Sequence, residues 1–337
     1  MNVHELLLKA HDFLFTKPTV AVAEIYRMPL SQKRARSCRA RTFVEATAED
    51  IVYSALLNRL RKKNSAKYVH AVARAICFST LDPFLRIKTA HDVAGLLLEY
   101  DWENFLANTI PPQSLDHIFR TGKAVCEGYA NVFKAFCDEM KIPCEKVSGY
   151  VWGGCKSKGE SNDIKEASHA WNIVCAAGEW YPVDCTWDKP NETEWLFPEA
   201  EYFALSHFPH NSAQQLLKIP YTFNEFLILP HLFPNITQYV SHFSRMPHSE
   251  EQRGQFEIEY RCVNRNRWID FWVYDENDKR ILDFEPSISR GNAGTKRARF
   301  AITERGKYTV KIMGHNRYKI DNCGGITLDV RYPARSV

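Results

Sequence analysis

The chain is short of several things, and each shortage narrows what it can be. Its ten cysteines include no CxxC pair, and no short-spaced Cys/His set has zinc-site spacing. No stretch approaches the roughly 20 apolar residues of a membrane-spanning helix. The start, Met1 to Asp12, is broken by charge and lacks the basic lead and apolar centre of a secretory signal. Charge of one sign is not in excess: the net value is +4. A nucleic-acid-binding domain usually has a pI above about 9 with its basic residues on one face. The one basic run, Lys33 to Arg41, reads as a solvated loop. There is no internal repeat and no low-complexity tract. These absences predict a cytoplasmic protein with free thiols, no nucleic-acid partner, no membrane span, and neither metal nor cofactor.

What is present is a chain of 337 residues, 45% hydrophobic, 25% charged and 13% aromatic, long enough for two domains with sizeable cores. Residues 1–65 read as a poorly defined helical and basic leader, with one helical spacing between Glu49 and Lys62. From Lys67 the pattern is firmer. Val69, Val72, Ala73 and Ile76 predict a helix ending near Ser79, and Val93, Leu96, Leu97 and Tyr100 predict another over 90–100. Ser114 caps a short helix that Gly122 stops. Cys126 to Met140 is predicted helical, with Tyr129, Val132, Phe133, Phe136 and Met140 as its buried stripe. The period then changes to two, predicting strands over 144–153, 169–174 and 178–184, with a polar loop over 154–167. Beyond residue 235, alternating runs at 256–263, 269–274, 281–284, 297–303, 306–313 and 325–332 predict a β-sandwich of immunoglobulin-like kind. Asp275, Glu276 and Asp278 lack EF-hand spacing and read as a turn. The predicted domains are therefore 66–230 and 235–337.

One constellation carries chemistry. In Gly122-Lys123-Ala124-Val125-Cys126-Glu127-Gly128-Tyr129, a glycine-bearing loop enters a helix whose first residue is a cysteine. Free amides and the positive end of the helix dipole then surround the sulfur and favour thiolate. The Cys126 amide can also donate toward a developing oxyanion. His169 opens one strand, and Asp184 closes the next in Trp180-Tyr181-Pro182-Val183-Asp184. A helix packed across two such adjacent antiparallel strands would bring nucleophile, base and orienting carboxylate together. A lone helical cysteine is usually a small core residue, and a lone histidine at a strand start is usually structural. At this level both readings stay open.

The words GKAVCEGYANVFKAFC, SHAWNIV and WYPVDCTWD resemble the transglutaminase-like superfamily, a papain-related thiol fold. Tyr100-Asp101, the run Tyr202 to Pro209, and Gln215-Leu216-Leu217 are similar to words of the kyphoscoliosis peptidase family; Gln214 departs from a tryptophan usual there. The resemblance covers residues 85–225 well and the tail loosely. It implies an α+β fold with a cysteine-bearing helix on an antiparallel sheet, followed by the β-sandwich. It also implies a triad of Cys126 as nucleophile, His169 as base and Asp184 as orienter. Papain-like enzymes add a glutamine as second oxyanion donor and transglutaminases a tryptophan; Gln113 and Trp102 lie upstream, and neither is placed by a motif. Trp171 and Trp187 read first as site walls or core, and stand also as candidate substrate-binding residues. Glu127 reads as a helix-start charge, and Asp188 as a neighbour of the orienter.

The implied activity is a thiol hydrolase or acyl transferase, a peptidase acting on protein substrates. Two alternatives keep the same fold: a cross-linking transglutaminase, and a non-catalytic adaptor for a cytoskeletal or signalling partner.

Overall fold

The structure, a computed structural model, describes residues 48–151, 169–188, 193–246, 253–291, 294–332 and 334. It forms two compact units that divide in sequence between Leu216 and Leu217. The basic run Lys33–Arg41 and the polar loop over 154–167 lie outside the described residues. No helix among them is long and apolar enough to cross a membrane.

The first unit begins with a helical turn over residues 48–53 and helix α1 (Ala55–Lys63), where a single helix was expected. Ser54 separates them, and its side chain accepts from the Leu57 amide. Ala48, Ile51 and Val52 belong to the same core as the helices that follow. This part of the expected leader is therefore packed structure. Helix α2 (Ser65–Ser79) matches the predicted apolar spacing. Helix α3 runs Pro83–Leu97, starting seven residues before the predicted helix and ending three residues earlier. Asp82 caps it through the Phe84 and Leu85 amides, and Pro83 sits in its first turn, where no amide partner is needed.

Strand β1 (Glu99–Tyr100) pairs in parallel with β2 (Lys123–Ala124), with helices α4 (Trp102–Leu106) and α5 (Leu115–Thr121) between them. Ser114 and Gly122 cap α5 as expected, Gly122 at φ 75°. Helix α6 (Cys126–Glu139) buries Tyr129, Val132, Phe133 and Phe136. Strands β3 (Cys144–Val151), β4 (His169–Ala176) and β5 (Glu179–Val183) form an antiparallel sheet with β6 (His207–Pro209), in the order β5-β4-β3-β6. A short helix, α7 (Ala200–Phe203), precedes β6. Helix α6 packs on β3 and β4, and Asn172 stitches the layers together by donating to the Ala130 and Glu145 carbonyls.

The second unit contains helix α8 (Phe223–Ile228) and two four-stranded antiparallel sheets. One is ordered β10-β13-β14-β7 and the other β11-β12-β9-β8. The strands are β7 (His231–Leu232), β8 (Val240–Arg245), β9 (Gln255–Cys262), β10 (Trp268–Asp275), β11 (Ser287–Arg290), β12 (Lys296–Ala301), β13 (Gly306–His315) and β14 (Ile320–Val330). Phe271 of one sheet meets Tyr260 and Phe300 of the other, so the two sheets share a core. The predicted strand at 281–284 is instead a 3-10 turn over Leu282–Phe284; its one buried side chain, Phe284, packs on Tyr308. Residues 217–230, which the expected division placed with the preceding domain, group with this unit, whose β7 pairs with β14. Asp275 accepts from the Asn277 and Lys279 amides, which is the geometry of a turn.

Candidate active site

The nucleophile candidate is held by its backbone. The Glu99 and Asp101 amides bond the Gly122 and Ala124 carbonyls, fixing the loop before the helix. The Val125 amide donates to Gln113 Oε1 at 3.0 Å, and Gln113 Nε2 donates to the Pro111 carbonyl. Those two partners orient the amide group without ambiguity, so the oxygen of Gln113 faces the helix start. Gly128 allows this approach: a Cβ there would stand 2.5 Å from Gln113 Oε1 and 2.6 Å from Ala124 Cβ. No side chain caps α6, which leaves its leading amides and the positive end of its dipole beside the half-buried Cys126. Glu127 turns away to Lys146, 2.7 Å distant.

His169 and Asp184 meet at 2.7 Å, Nε2 to Oδ2. Their strands place them on a diagonal. The last pair of β4 and β5 is Asn172 with Val183, so Asp184 lies beyond the strand end and reaches past Trp171 to His169. The chain after Asp184 closes on itself. The Asp184 amide bonds the Trp195 carbonyl, Val183 bridges Leu196, and the Thr186 amide donates to Asp184 Oδ1 at 2.8 Å. Asp184 is fully buried and His169 nearly so.

A carboxylate only accepts, so His169 Nε2 carries a proton toward it, leaving Nδ1 as the nitrogen for the Cys126 thiol. Burial alone would lower the affinity of His169 for a second proton. The charge and hydrogen bond of Asp184, with a smaller contribution from the hydrogen-bonded Cys126 side chain, outweigh it and raise the pKa to about 10. Burial likewise opposes ionisation of Asp184, yet His169 and then His207 hold its carboxyl well below the usual range.

His207 was not singled out by sequence reasoning. Its Nε2 lies 3.2 Å from Asp184 Oδ2, and its Nδ1 lies 2.9 Å from Ser206 Oγ. Only its place in the Tyr202–Pro209 word hinted at it. Burial lowers its pKa to about 4, more than the pull of Asp184 restores. His169, Asp184 and His207 offer three ligand atoms within 4.8 Å of one another. Both ring nitrogens converge on one carboxylate oxygen, an arrangement the shared hydrogen bonds account for.

Residues 88–185 match the family model described as the transglutaminase-like superfamily. That stretch is a transglutaminase-like core. Kyphoscoliosis peptidase of Mus musculus is 33% identical over 141 residues, covering 38% of this chain and 21% of that protein. The Homo sapiens kyphoscoliosis peptidase is 35% identical over 121 residues, covering 32% and 18%. Hillarin of Drosophila melanogaster is 24% identical over 140 residues, covering 35% and 17%. The chain thus spans about a fifth of the length of each of these relatives.

Beside His169 the two tryptophans differ. Trp171 is 1% exposed, its ring parallel to His169 at 6.1 Å and edge-on to His207 at 5.0 Å. A ring so buried has almost no surface open to solvent. Trp187 is half-buried, 5.3 Å from the His169 ring. Trp102 is half-exposed and packs on Tyr100. Asp188 belongs to a second buried network, in which Lys88 contacts Asp92 and His91 Nδ1 meets Asp92 Oδ1 at 3.0 Å. His91 Nε2 lies 3.1 Å from Asp188 Oδ2, a contact of charge and not an aligned hydrogen bond. Burial works against the His91 charge, but Asp188 and Asp92 raise its pKa to about 9. Asp188 also accepts from the Glu194 and Trp195 amides. Helix α3 is tied in this way to the loop that follows Asp184.

Proposed function

We propose that the transglutaminase-like unit is a thiol peptidase acting on protein substrates, with Cys126 as nucleophile, His169 as general base and acid, and Asp184 as orienter. The observation that carries this reading is the continuous chain from the Cys126 thiol through the His169 ring to a buried, ionised Asp184. Cys126 sulfur attacks a peptide carbonyl, and the Cys126 amide donates to the oxygen that becomes negative. His169 gives its proton to the departing amine as the C–N bond breaks, leaving a thioester on Cys126. Water then attacks that thioester while His169 takes its proton, and thiolate and acid product are released. The name of the kyphoscoliosis peptidases supports peptide hydrolysis over amine transfer. The free thiols Cys77, Cys137, Cys144, Cys175, Cys185, Cys262 and Cys323 suit a reducing, cytoplasmic setting.

The test is incubation of the protein with denatured casein, with and without a fluorescent primary amine. Expected is peptide release that Cys126→Ala and His169→Ala abolish without loss of fold. Amine incorporation in place of cleavage would move the reading to cross-linking. Neither product, together with Cys126 alkylation indifferent to His169→Ala, would leave only the adaptor reading.

A further inference from the structure

The imidazole of His207 stands where an apolar side chain would be expected. It is fully buried and stacked on Phe203 at 4.0 Å and 17°. Trp171, Trp187 and Trp195 surround it at ring distances of 5.0, 4.6 and 5.2 Å. Placing a polar ring in an aromatic box costs desolvation unless its nitrogens are satisfied. Its two nitrogens have two partners, Asp184 Oδ2 and Ser206 Oγ.

The protons can be followed around this pair. Asp184 is an acceptor, so His207 Nε2 carries the hydrogen that points to it. A neutral ring then has a bare Nδ1, 2.9 Å from Ser206 Oγ, whose one hydrogen also has the Phe203 carbonyl at 3.1 Å as an acceptor. The fold brings the His207 contact from β6, at the opposite edge of the sheet to β5, which Asp184 follows. Strand β6 pairs with β3, Val151 facing His207 and Gly149 facing Pro209. A Cβ on Gly149 would lie 2.1 Å from the Phe208 carbonyl and 2.8 Å from the Trp171 ring, so the bare glycine lets β6 approach closely enough. His207 also lies beyond residues 88–185 that match the family model.

We propose that His207 is a positioning residue of the thiol site: its Nε2–H holds the Asp184 carboxylate by the oxygen that binds His169, with Ser206 Oγ beside its other nitrogen. With the Thr186 amide on Oδ1, Asp184 then receives three donors and cannot swing away from His169. The inference rests on the catalytic reading of Cys126, His169 and Asp184. The titratable groups facing His207 are Asp184 from the end of β5 and His169 from β4; Cys126, from α6, faces His169. A neutral donor at this place stabilises the orienting carboxylate without adding a charge that would repel the His169 imidazolium. Its loss weakens the thiolate–imidazolium pair at both ends of its pH range.

The experiment is the rate of iodoacetamide modification of Cys126, followed by peptide mass spectrometry from pH 4 to 10, in the full chain. His207→Phe keeps the ring stacking and removes the donor. His207→Gln restores a donor near Nε2, and His207→Asn places one near Nδ1 instead. Expected for His207→Phe is a rate at pH 6 lowered by roughly tenfold or more, with a narrower active range. His207→Gln should return to within about threefold of the unaltered chain, since it keeps the hydrogen bond. A folded His207→Phe protein with an unchanged profile overturns the proposal, as does a His207→Gln profile no better than that of His207→Phe. Should His207→Phe fail to fold, equal profiles for His207→Gln and His207→Asn overturn it equally. Failure of the underlying reading looks different: modification of the unaltered chain would be indifferent to His169→Ala.

Discussion

Asp184→Asn changes one oxygen to nitrogen and leaves the shape of the site intact, which makes its consequences calculable. The Thr186 amide must keep an acceptor, so the asparagine oxygen occupies the Oδ1 place. Its NH2 group then points at the Nε2 atoms of His169 and His207, both of which now donate to Asp184 Oδ2. Two donors cannot face each other across 2.7 Å. His169 must therefore shed the Nε2 proton and carry one on Nδ1, against the thiol it is meant to deprotonate. His207 faces the same demand with Ser206 on its other side.

The electrostatic loss points the same way. With Asp184 present, the His169 pKa is raised to about 10, so the imidazolium form leads at pH 7. Asp184 supplies the leading upward contributions; without them burial dominates, and only the weaker support of Cys126 remains. The loss at pH 7 is set by how much of His169 goes over to neutral imidazole, which grows about tenfold for each unit its pKa falls below 7. Cys126 alkylation at pH 7 should fall by roughly 10- to 1,000-fold, with circular dichroism and melting showing a folded protein. A folded Asp184→Asn protein whose Cys126 profile superimposes on the original from pH 4 to 10 would refute the coupling between carboxylate, ring and thiol.

Other perturbations follow from the same geometry. Gly149→Ala forces a methyl against the Phe208 carbonyl and the Trp171 ring, and should cost about 1–3 kcal/mol or more by urea titration. An alanine protein of unaltered stability would mean that β3 and β6 are not so closely joined. Lys88→Met removes one of two cations from the buried Asp92, His91 keeping the other, and should cost about 1–3 kcal/mol, whereas adding Asp92→Leu should recover part of that. Equal losses in the single and double variants would argue against a coupled pair. Phe271→Ala empties the space between the two sheets of the second unit and should cost that unit about 3–5 kcal/mol in a melt. Stability should also show two limbs in pH. His207 is held neutral with its pKa lowered to about 4, so stability falls as pH drops from about 6.5 to 4, by on the order of 2–3 kcal/mol. His169 and His91 are raised to about 10 and 9, so their contribution is complete below about 6.5 and is lost as pH rises through those values. Equilibrium unfolding across pH 4–10 reads both limbs, and His207→Gln should flatten only the acid one.

Where sequence and structure agree, the cause is local. Helix α6 and its buried stripe follow from apolar spacing, and the ends of α5 follow from a capping serine and a left-handed glycine. The alternation of β9, β10 and β13 marks strands with one face in a core. Where they differ, the deciding partner is distant in the chain or the signal is of another kind. Helix α3 starts at an Asp82-Pro83 cap that an apolar count passes over. Strands β7 and β8 are short or irregular, and exist because β14 and β9 lie beside them.

For the site, the chain by itself determines which chemical groups are available. A cysteine at a helix start, a histidine opening a strand and an aspartate ending the next are matters of order and spacing, legible without coordinates. Only the tertiary structure decides how those groups are held. It sets Asp184 diagonally to His169, aims Gln113 at the Val125 amide, and seals Trp171 beneath the ring. It also brings His207 from 23 residues further along the chain to the same carboxylate oxygen. That last contact depends on the closeness of two strands at a single glycine, and on burial that no local pattern reports. Periodicity tells which face of an element is covered; which polar group lies under the cover is decided by packing.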